Sequence, residues 1–329
     1  MGSWKLSGTE IYSRLDRTKV AVSENMDFYL IDFRENRILK YDRNGQLLRS
    51  IGQKGEGPGD FRGLWSVRYH QGVLYAFDTM SERVSLFAPN GDFLRSLPVP
   101  RSAVISITPV QKIINGWAYY DLEADEVILL DEDFGEATVL ARGPHEVLPD
   151  LEARNRIKLV PERSSFSVNK DGSRLFLYNG SGEFLIEIYD VVKKQVIGRI
   201  AKDIPRVAFD KVWGEAVFEK TVARRTNLGS YQGVTFEPVY PDFLPVIVFL
   251  DTDPDGNLMV RRDAIVNKDA KALVFDENGK ETDSRFPVHH LSKIIAVVDE
   301  WAYVATYHDE EFGIERILVS SLKDYNFSG

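Results

Sequence analysis

Six short apolar segments recur along the chain, and each one ends in a polar residue. They are Phe28–Asp32, Leu74–Asp78, Trp117–Asp121, Leu175–Asn179, Leu258–Arg262 and Ala302–Thr306. Most are rich in β-branched and aromatic residues, which favour strands. Three of the five intervals between them are about 45 residues, which is the length of one four-stranded propeller blade. The pattern therefore predicts an all-β protein, a six-bladed β-propeller of four-stranded blades.

Turn residues separate the predicted strands in most of these units. The turns are Asp42–Gly45, Pro89–Asp92, Lys170–Gly172, Asp255–Asn257 and Asp276–Gly279. Asn-Gly and Asp-Gly pairs adopt the positive φ angles that tight hairpins require. The strands within each unit are therefore predicted to be antiparallel.

Ring closure follows from the ends of the chain. The last unit has three predicted strands, near 293–298, 301–307 and 314–321, whereas an extra strand at 5–14 precedes the first unit. If that N-terminal strand joins the last blade, the ring has no open edge. Residues 1–329 then form a single domain. The start, Met1-Gly2-Ser3, is interpreted as an expression scar.

One stretch of the chain carries a family resemblance. It runs from Ser50–Phe61, with its repeated glycines, through Gly72–Asp78 and Arg83–Phe87 to Asn90–Leu94. This succession resembles one full unit of the NHL-repeat family, except that Leu64-Trp65 stands where the family usually has a proline. Within that family the chain is similar to bacterial six-bladed propellers that are exported or lipid-anchored. The resemblance implies a periplasmic or extracellular protein.

Two insertions lengthen the intervals on either side of blade four. They cover residues 143–165, with a possible helical turn at 150–154, and residues 203–243. In the second insertion the spacing of apolar residues predicts one face of a helix. That face would contain Val212, Trp213, Ala216, Val217, Thr221 and Val222. Both insertions link one blade to the next, so both are expected to lie over the same end of the channel as a lid.

The polar residues at the strand ends are expected to ring that same end. They are Asp32, Asp78, Asp121, Asn179, Arg262 and Thr306. Short side chains of this kind commonly accept hydrogen bonds from nearby backbone N–H groups. The alternative interpretation is direct contact with a ligand or a metal ion.

Basic residues provide the candidate ligand-binding set. It consists of Arg68, Arg101, Arg224, Arg225, Arg261, Arg262, His289 and His290. Guanidinium groups bind carboxylate or sulfate through two parallel hydrogen bonds, which suits an anionic ligand. The alternative is that these residues are scattered and pair with neighbouring carboxylates. Because successive side chains on a strand point to opposite faces, His289 and His290 are not expected to chelate one ion.

Three functions are compatible with this sequence. The first is a non-catalytic propeller that binds a small molecule, a glycan or a protein at the lidded face and channel mouth. The second is an enzyme, since related six-bladed propellers such as gluconolactonases hydrolyse lactones with a central calcium ion. Its candidate ligands here would be Asp32, Asp78, Asp121 and Asn179. The third is a protein-interaction platform, which an exposed aromatic patch on the lidded face would indicate.

Composition narrows these functions only slightly. The formal charge of −9 argues against nucleic acid as a partner. No apolar run is long enough to cross a membrane. The chain contains no cysteine, which excludes disulfides and thiolate sites and is compatible with an oxidising compartment. Asp251–Gly256 resembles half of a calcium loop, but Arg262 stands where such a loop needs glutamate, so a hairpin turn is predicted. No cofactor other than calcium is expected, and a monomer is expected.

Overall fold

The computed structural model describes residues 2–5, 19–105, 110–144, 156–159, 163–227, 235–262, 272–287, 293–308 and 311–325. The chain is a β-propeller in which six antiparallel sheets follow one another around a ring. After β1 (Gly2–Lys5), blade one contains β2 (Val20–Val22), β3 (Phe28–Asp32), β4 (Arg37–Tyr41) and β5 (Leu47–Ile51). Blade two contains β6 (Leu64–His70), β7 (Val73–Asp78), β8 (Arg83–Phe87) and β9 (Phe93–Pro98).

A short helix, α1 (Arg101–Ile105), precedes blade three, and the longer links lie on either side of blade four. Blade three contains β10 (Gln111–Ile113), β11 (Gly116–Asp121), β12 (Glu126–Leu130) and β13 (Ala137–Arg142). After β14 (Arg156–Lys158), blade four contains β15 (Ser165–Val168), β16 (Arg174–Tyr178), β17 (Phe184–Asp190) and β18 (Gln195–Lys202). The second link contains α2 (Lys211–Asn227) and β19 (Glu237–Val239). The six apolar segments of the sequence are thus strands, as predicted, and each is the second strand of its blade.

Blade five departs from the four-stranded pattern. Its sheet contains β20 (Phe249–Thr252), β21 (Leu258–Arg261) and β22 (Leu273–Phe275). The fourth position is represented by a bridge between Phe275 and Glu281 and by a bond from Thr282 N to Val274 O of 2.9 Å. Among the described residues, this blade therefore has three full strands and only the start of a fourth.

The N-terminal strand closes the ring, although at different residues from those predicted. Blade six contains β23 (Ile294–Val298), β24 (Trp301–His308) and β25 (Glu311–Leu318), followed by a 3₁₀ helix at Val319–Asp324. Its fourth strand is β1, which pairs with β25 from Gly2–Arg316 to Lys5–Gly313. Of the predicted strand at 5–14, only Lys5 belongs to β1, and residues 6–14 lie outside the described residues. Gly2 and Ser3, interpreted as a scar, take part in closure, where they satisfy the edge of β25.

The core is divided among the seams between neighbouring blades. Six of the seven apolar clusters each join two adjacent blades, such as Phe77 with Trp117 between blades two and three. Aromatic rings in that seam stack closely, with the centroids of Trp117 and Phe134 only 5.1 Å apart. Each blade therefore buries both of its faces, and the core consists of six seam clusters arranged around the ring.

The glycine-rich link between blades one and two is held by its own contacts. Gly52 has a φ of +69°, and a Cβ at this position would lie 2.3 Å from the Phe61 ring. Glycine is therefore required at residue 52 both by its positive φ and by the lack of space for a Cβ. Elsewhere in the link, Arg83 Nη2 donates to the carbonyls of Gly57 and Asp60 at 3.2 and 2.6 Å.

Carboxylates organise the hairpin turns as the sequence predicts. Asp42 Oδ1 accepts the N–H groups of Asn44 and Gln46. Asp253 accepts those of Asp255 and Asn257 in the segment that resembles half of a calcium loop. That segment is therefore a β-hairpin turn.

In the part of the chain that the structure describes, no helix is long and apolar enough to cross a membrane.

Candidate functional site

The insertions lie on the face where each blade links to the next, here named the link face. The first strands of neighbouring blades contact each other around the centre, for example β2 with β6 and β15 with β20. A first strand that begins on the link face returns through the second strand, so the loops after β3, β7, β11, β16, β21 and β24 also lie there. The predicted arrangement of loops is therefore confirmed.

The two insertions join into one unit, here named the insertion module. Strand β14 of the first insertion pairs in parallel with β19 of the second, from Arg156–Glu237 to Lys158–Val239. A seventh apolar cluster contains Leu159 and Phe236, with Phe209, Val217, Phe218, Val222 and Tyr240 packed against them. None of these residues belongs to a blade seam cluster. The insertions thus build a small core of their own beside blade four.

Helix α2 forms where the sequence predicts a helix, but its packed face differs. Asp210 Oδ1 caps its first turn by accepting the N–H groups of Val212 and Trp213. Val212 is 77% exposed and Ala216 is also exposed, so both were wrongly assigned to the apolar face. Phe218 and Gly214 take their places, and a Cβ on Gly214 would lie 2.5 Å from the Phe209 ring. The predicted turn at 150–154 lies outside the described residues.

The polar residues at the strand ends mostly bind their own loops. Asp78 is fully buried and accepts bonds from the backbone N–H groups of Arg62, Gly63, Met80 and Ser81 and from the Ser81 hydroxyl. Asp32, Asp121 and Asn179 likewise accept nearby backbone N–H groups, and Asp32 also pairs with Arg37. Thr306 lies inside β24 rather than at its end. Capping of nearby backbone N–H groups therefore accounts for the aspartates and the asparagine at the strand ends.

These contacts bear on the predicted calcium site. The side-chain oxygens of Asp32, Asp78, Asp121 and Asn179 face their own loop N–H groups. In the described ranges, no three His, Asp or Glu side chains are grouped closely enough to hold a metal ion. These four residues therefore do not present a calcium ligand set.

The predicted basic residues are placed as follows. Arg68 donates to the carbonyls of Val67 and Val110, so it bridges blades two and three. Arg101, in α1, is 74% exposed and lies 3.7 Å from Glu82. Arg224 and Arg225 belong to α2, and the structure does not describe their side chains. His289 and His290 lie outside the described residues. Arg261 ends the second strand of blade five on the link face, and Arg262 follows it directly.

Several buried polar atoms without a hydrogen-bond partner lie on the link face of blades three, four and five. Within the described chain they include Asp125 Oδ2, Arg163 Nη1, Arg261 Nε and Arg262 Nε. On the same face Arg83 Nε, in blade two, is also without an acceptor, but the guanidinium is held through Nη2. Buried polar groups are normally satisfied, so this concentration marks unused hydrogen-bonding capacity.

Asp125 and Arg163 lie at the seam between blades three and four. Asp125 Oδ1 accepts bonds from the Tyr120 hydroxyl and from Ser164 N and Oγ, all at 2.8 to 2.9 Å. Burial and the bond to Asp125 raise the pKa of Tyr120 to about 12, and the nearby Arg163 opposes part of this rise. Tyr120 therefore stays protonated and donates to the carboxylate. Oδ2 lies beside Gly143, where a Cβ would approach it to 2.1 Å.

Two arginines of this region lie over phenylalanine rings. The Arg261 guanidinium lies 4.9 Å from the centroid of Phe249, its cross-strand partner. The Arg206 guanidinium, in the second insertion, lies 4.6 Å from the centroid of Phe243. Stacking fixes the plane of a guanidinium while its N–H edge can still donate. The link face of blades four and five is therefore rich in oriented cations.

Sequence reasoning found Arg261 and Arg262 but missed Asp125, Arg163 and Arg206. The missed residues lie in loops and links, and only their tertiary contacts distinguish them from ordinary surface charges. Two apolar residues of the link face are exposed, Trp65 at 46% and Met80 at 61%. Lys19 Nζ lies 3.5 Å from the Trp65 ring centroid and donates to Trp65 O at 2.6 Å, so the protein itself uses part of this surface.

A groove of about 300 Å³ lies on the opposite face, between blades four and five. Asn169, Lys170, Asp171, Asp255, Gly256, Asn257, Asp276 and Glu277 line it. Asp255 is bound by Arg285 through Nε and Nη2, at 2.7 and 2.9 Å. Asp171 and Asp276 cap their own turns. The groove is therefore lined by turns whose carboxylates are already engaged.

Comparison with solved structures identifies the class of fold. A DUF4221 family member from Bacteroides vulgatus matches with a TM-score of 0.51 and 10% identity over 96% of each chain. Virginiamycin B lyase from Staphylococcus aureus, 10% identical, gives 0.48 over 96% of this chain and 87% of that one. A Bacteroides fragilis protein described as exported, 12% identical, gives 0.49 over 96% and 94%.

The likeness to the DUF4221 family member agrees with the six-bladed β-propeller that the sheet order shows, and it supports nothing finer than the fold. No family model matches the sequence, and no curated protein matches it either.

Proposed function

We propose that this chain is a non-catalytic binding propeller that captures a small polar ligand on the link face of blades three to five, beside the insertion module. One observation carries the proposal: the buried polar atoms of Asp125, Arg163, Arg261 and Arg262 that have no partner among the described residues. Such atoms cost folding free energy unless something binds them, so a site for a polar ligand is their simplest use.

The insertion module supports this position for the site. Its apolar cluster is separate from the six seam clusters, so the module is an addition to the ring rather than a part of its core. Loops on a rigid scaffold commonly carry binding function. The NHL-like succession in blades one and two fits the same role, since it describes a repeat scaffold and contains no catalytic motif.

The calcium-dependent hydrolase remains a prediction from the sequence, and the strand-end residues offer it no support because they cap their own loops. Export to the periplasm or the cell exterior is part of our proposal and agrees with the absence of cysteine. Fractionation of cells that produce the native precursor tests it, and recovery in the cytosol would contradict it.

Replacement of residues 208–235 by a short Gly-Ser linker tests the proposed site. Thermal shift measurements would compare the intact and shortened proteins against a panel of sugars, sugar acids and amino acids. We expect the shortened protein to fold, since it loses only part of the seventh cluster, and to lose the stabilisation that panel compounds give the intact protein.

Two outcomes would contradict the proposal. One is equal stabilisation of both proteins, and the other is a panel that stabilises neither. If the shortened protein does not fold, the point variant Arg163→Gln replaces it in the same measurement. Arg163 belongs to none of the apolar clusters, so this change leaves their packing intact.

A further inference from the structure

We infer that Arg262 is the anion-binding group of this site, and that the ligand bears a carboxylate or sulfate group that it binds at the link-face end of the seam between blades four and five. This inference rests on the proposed function and names the chemistry of its ligand. It starts from Arg262 Nε, a buried donor that has no acceptor in the described part of the chain.

The alternation of side chains along β21 gives Arg262 its direction. Leu258 and Val260 pack in the seam between blades four and five, whereas Met259 packs in the seam between blades five and six. Because successive side chains alternate, Arg261 belongs with Met259, and the same alternation continued one residue past the end of β21 assigns Arg262 to the side of Val260. The contact of Arg261 with Phe249 leaves Arg262 as the arginine of the four–five seam.

Blade four provides the opposite wall of this seam. Gly182 lies in the loop after β16, and its N–H donates to the hydroxyl of Tyr178, a member of the four–five cluster. A Cβ on Gly182 would lie 3.3 Å from Nη2 of Arg206. Arg206 is therefore at the same end of the same seam. Arg206, in the second insertion, therefore brings a second guanidinium group to this end of the seam, and positive charge attracts an anion.

The chemistry of guanidinium narrows the ligand class. The Nε–H and one Nη–H form a fork that matches two oxygens of a carboxylate or a sulfate. The hydroxyl groups of a neutral sugar can accept these bonds only without the gain from charge, and an ammonium group offers no acceptor at all. The inference therefore distinguishes an acidic or sulfated ligand from a neutral one.

Isothermal titration with sodium sulfate, sodium glucuronate and glucose, at constant ionic strength, tests the inference. We expect saturable binding of at least one of the two anions and none of glucose. Arg262→Gln should weaken anion binding about tenfold or more, since it removes a charge-assisted bond. The anion affinity of Arg262→Lys should lie between those of the wild type and Arg262→Gln, because lysine retains the charge but lacks the two-donor fork.

Arg199→Gln is the matched control, because Arg199 lies on the outer strand of blade four and pairs with Glu187. It should bind anions as the wild type does. Binding of glucose alone, equal binding by Arg262→Gln and wild type, or no binding of either anion would overturn the inference.

The inference and the proposed function can fail separately. If stabilisation by the panel compounds requires residues 208–235 but not Arg262, the proposed site is supported and the inference that its ligand is an anion is wrong. If anions bind through Arg262 while removal of the insertion changes nothing for any compound, the seam binds anions but the lidded site is wrong.

Discussion

On the link face, blade two and the region of blades four and five use the same positions of the repeat in opposite ways. In blade two, Asp78 after the second strand accepts five hydrogen bonds, and Arg83 holds two carbonyls of the preceding link. Across the ring, Arg262 after the second strand of blade five has a buried Nε without an acceptor among the described residues. One region is closed by its own hydrogen bonds, and the other retains bonding capacity for a ligand.

The largest expected effect is in the closed region. Asp78→Ala leaves four backbone N–H groups without their acceptor, and we expect it to lower the free energy of unfolding by about 3 to 5 kcal/mol. Asp121→Ala changes the corresponding residue of blade three, which accepts two bonds from exposed loop N–H groups, and should cost about 1 kcal/mol. Urea denaturation of both variants measures the difference. Equal losses would show that the two loops are closed to the same degree.

The sequence predicts the closed region better than the open one. Asp78 follows an apolar strand and precedes a turn, so its capping role can be inferred from local order alone. The ring, its closure and the turn at Asp253 follow from the same local patterns. The insertion module could not be predicted in detail, because the face of α2 is set by Phe209 and Tyr240 in coil and by Leu159 from the other insertion. No periodicity in residues 211–227 contains that information.

The candidate site shows the same division. Arg261 and Arg262 could be named because they end a recognisable strand. Asp125 could not be named, since its burial depends on Ser164 of the next blade and on the absence of a side chain at Gly143. The sequence therefore finds those site residues that the repeat positions and misses those that contacts between blades create.

An intermediate effect is expected at the seam between blades three and four. In Gly143→Ala the new Cβ would lie 2.1 Å from Asp125 Oδ2, so the carboxylate must move away from Tyr120 and Ser164. We expect this variant to lose about 2 to 3 kcal/mol of unfolding free energy. Gly135→Ala is the control, because its nearest atom would be 3.5 Å away, and it should change stability by less than about 1 kcal/mol. If both variants unfold at the same temperature, the seam is looser than the structure shows.

The smallest effect provides the sharpest test of the comparison between the regions. Arg83→Leu removes the donor that Gly57 and Asp60 share, and should cost about 1 to 3 kcal/mol because two carbonyls lose their partner. Arg262→Leu removes a donor that has no acceptor, so we expect a change within about 0.5 kcal/mol, or a gain, since a buried uncompensated group is replaced by an apolar one. Guanidinium chloride denaturation of the two variants measures both changes. A loss at Arg262 as large as that at Arg83 would mean that Arg262 stabilises the fold, and the open character of this region would then be disproved.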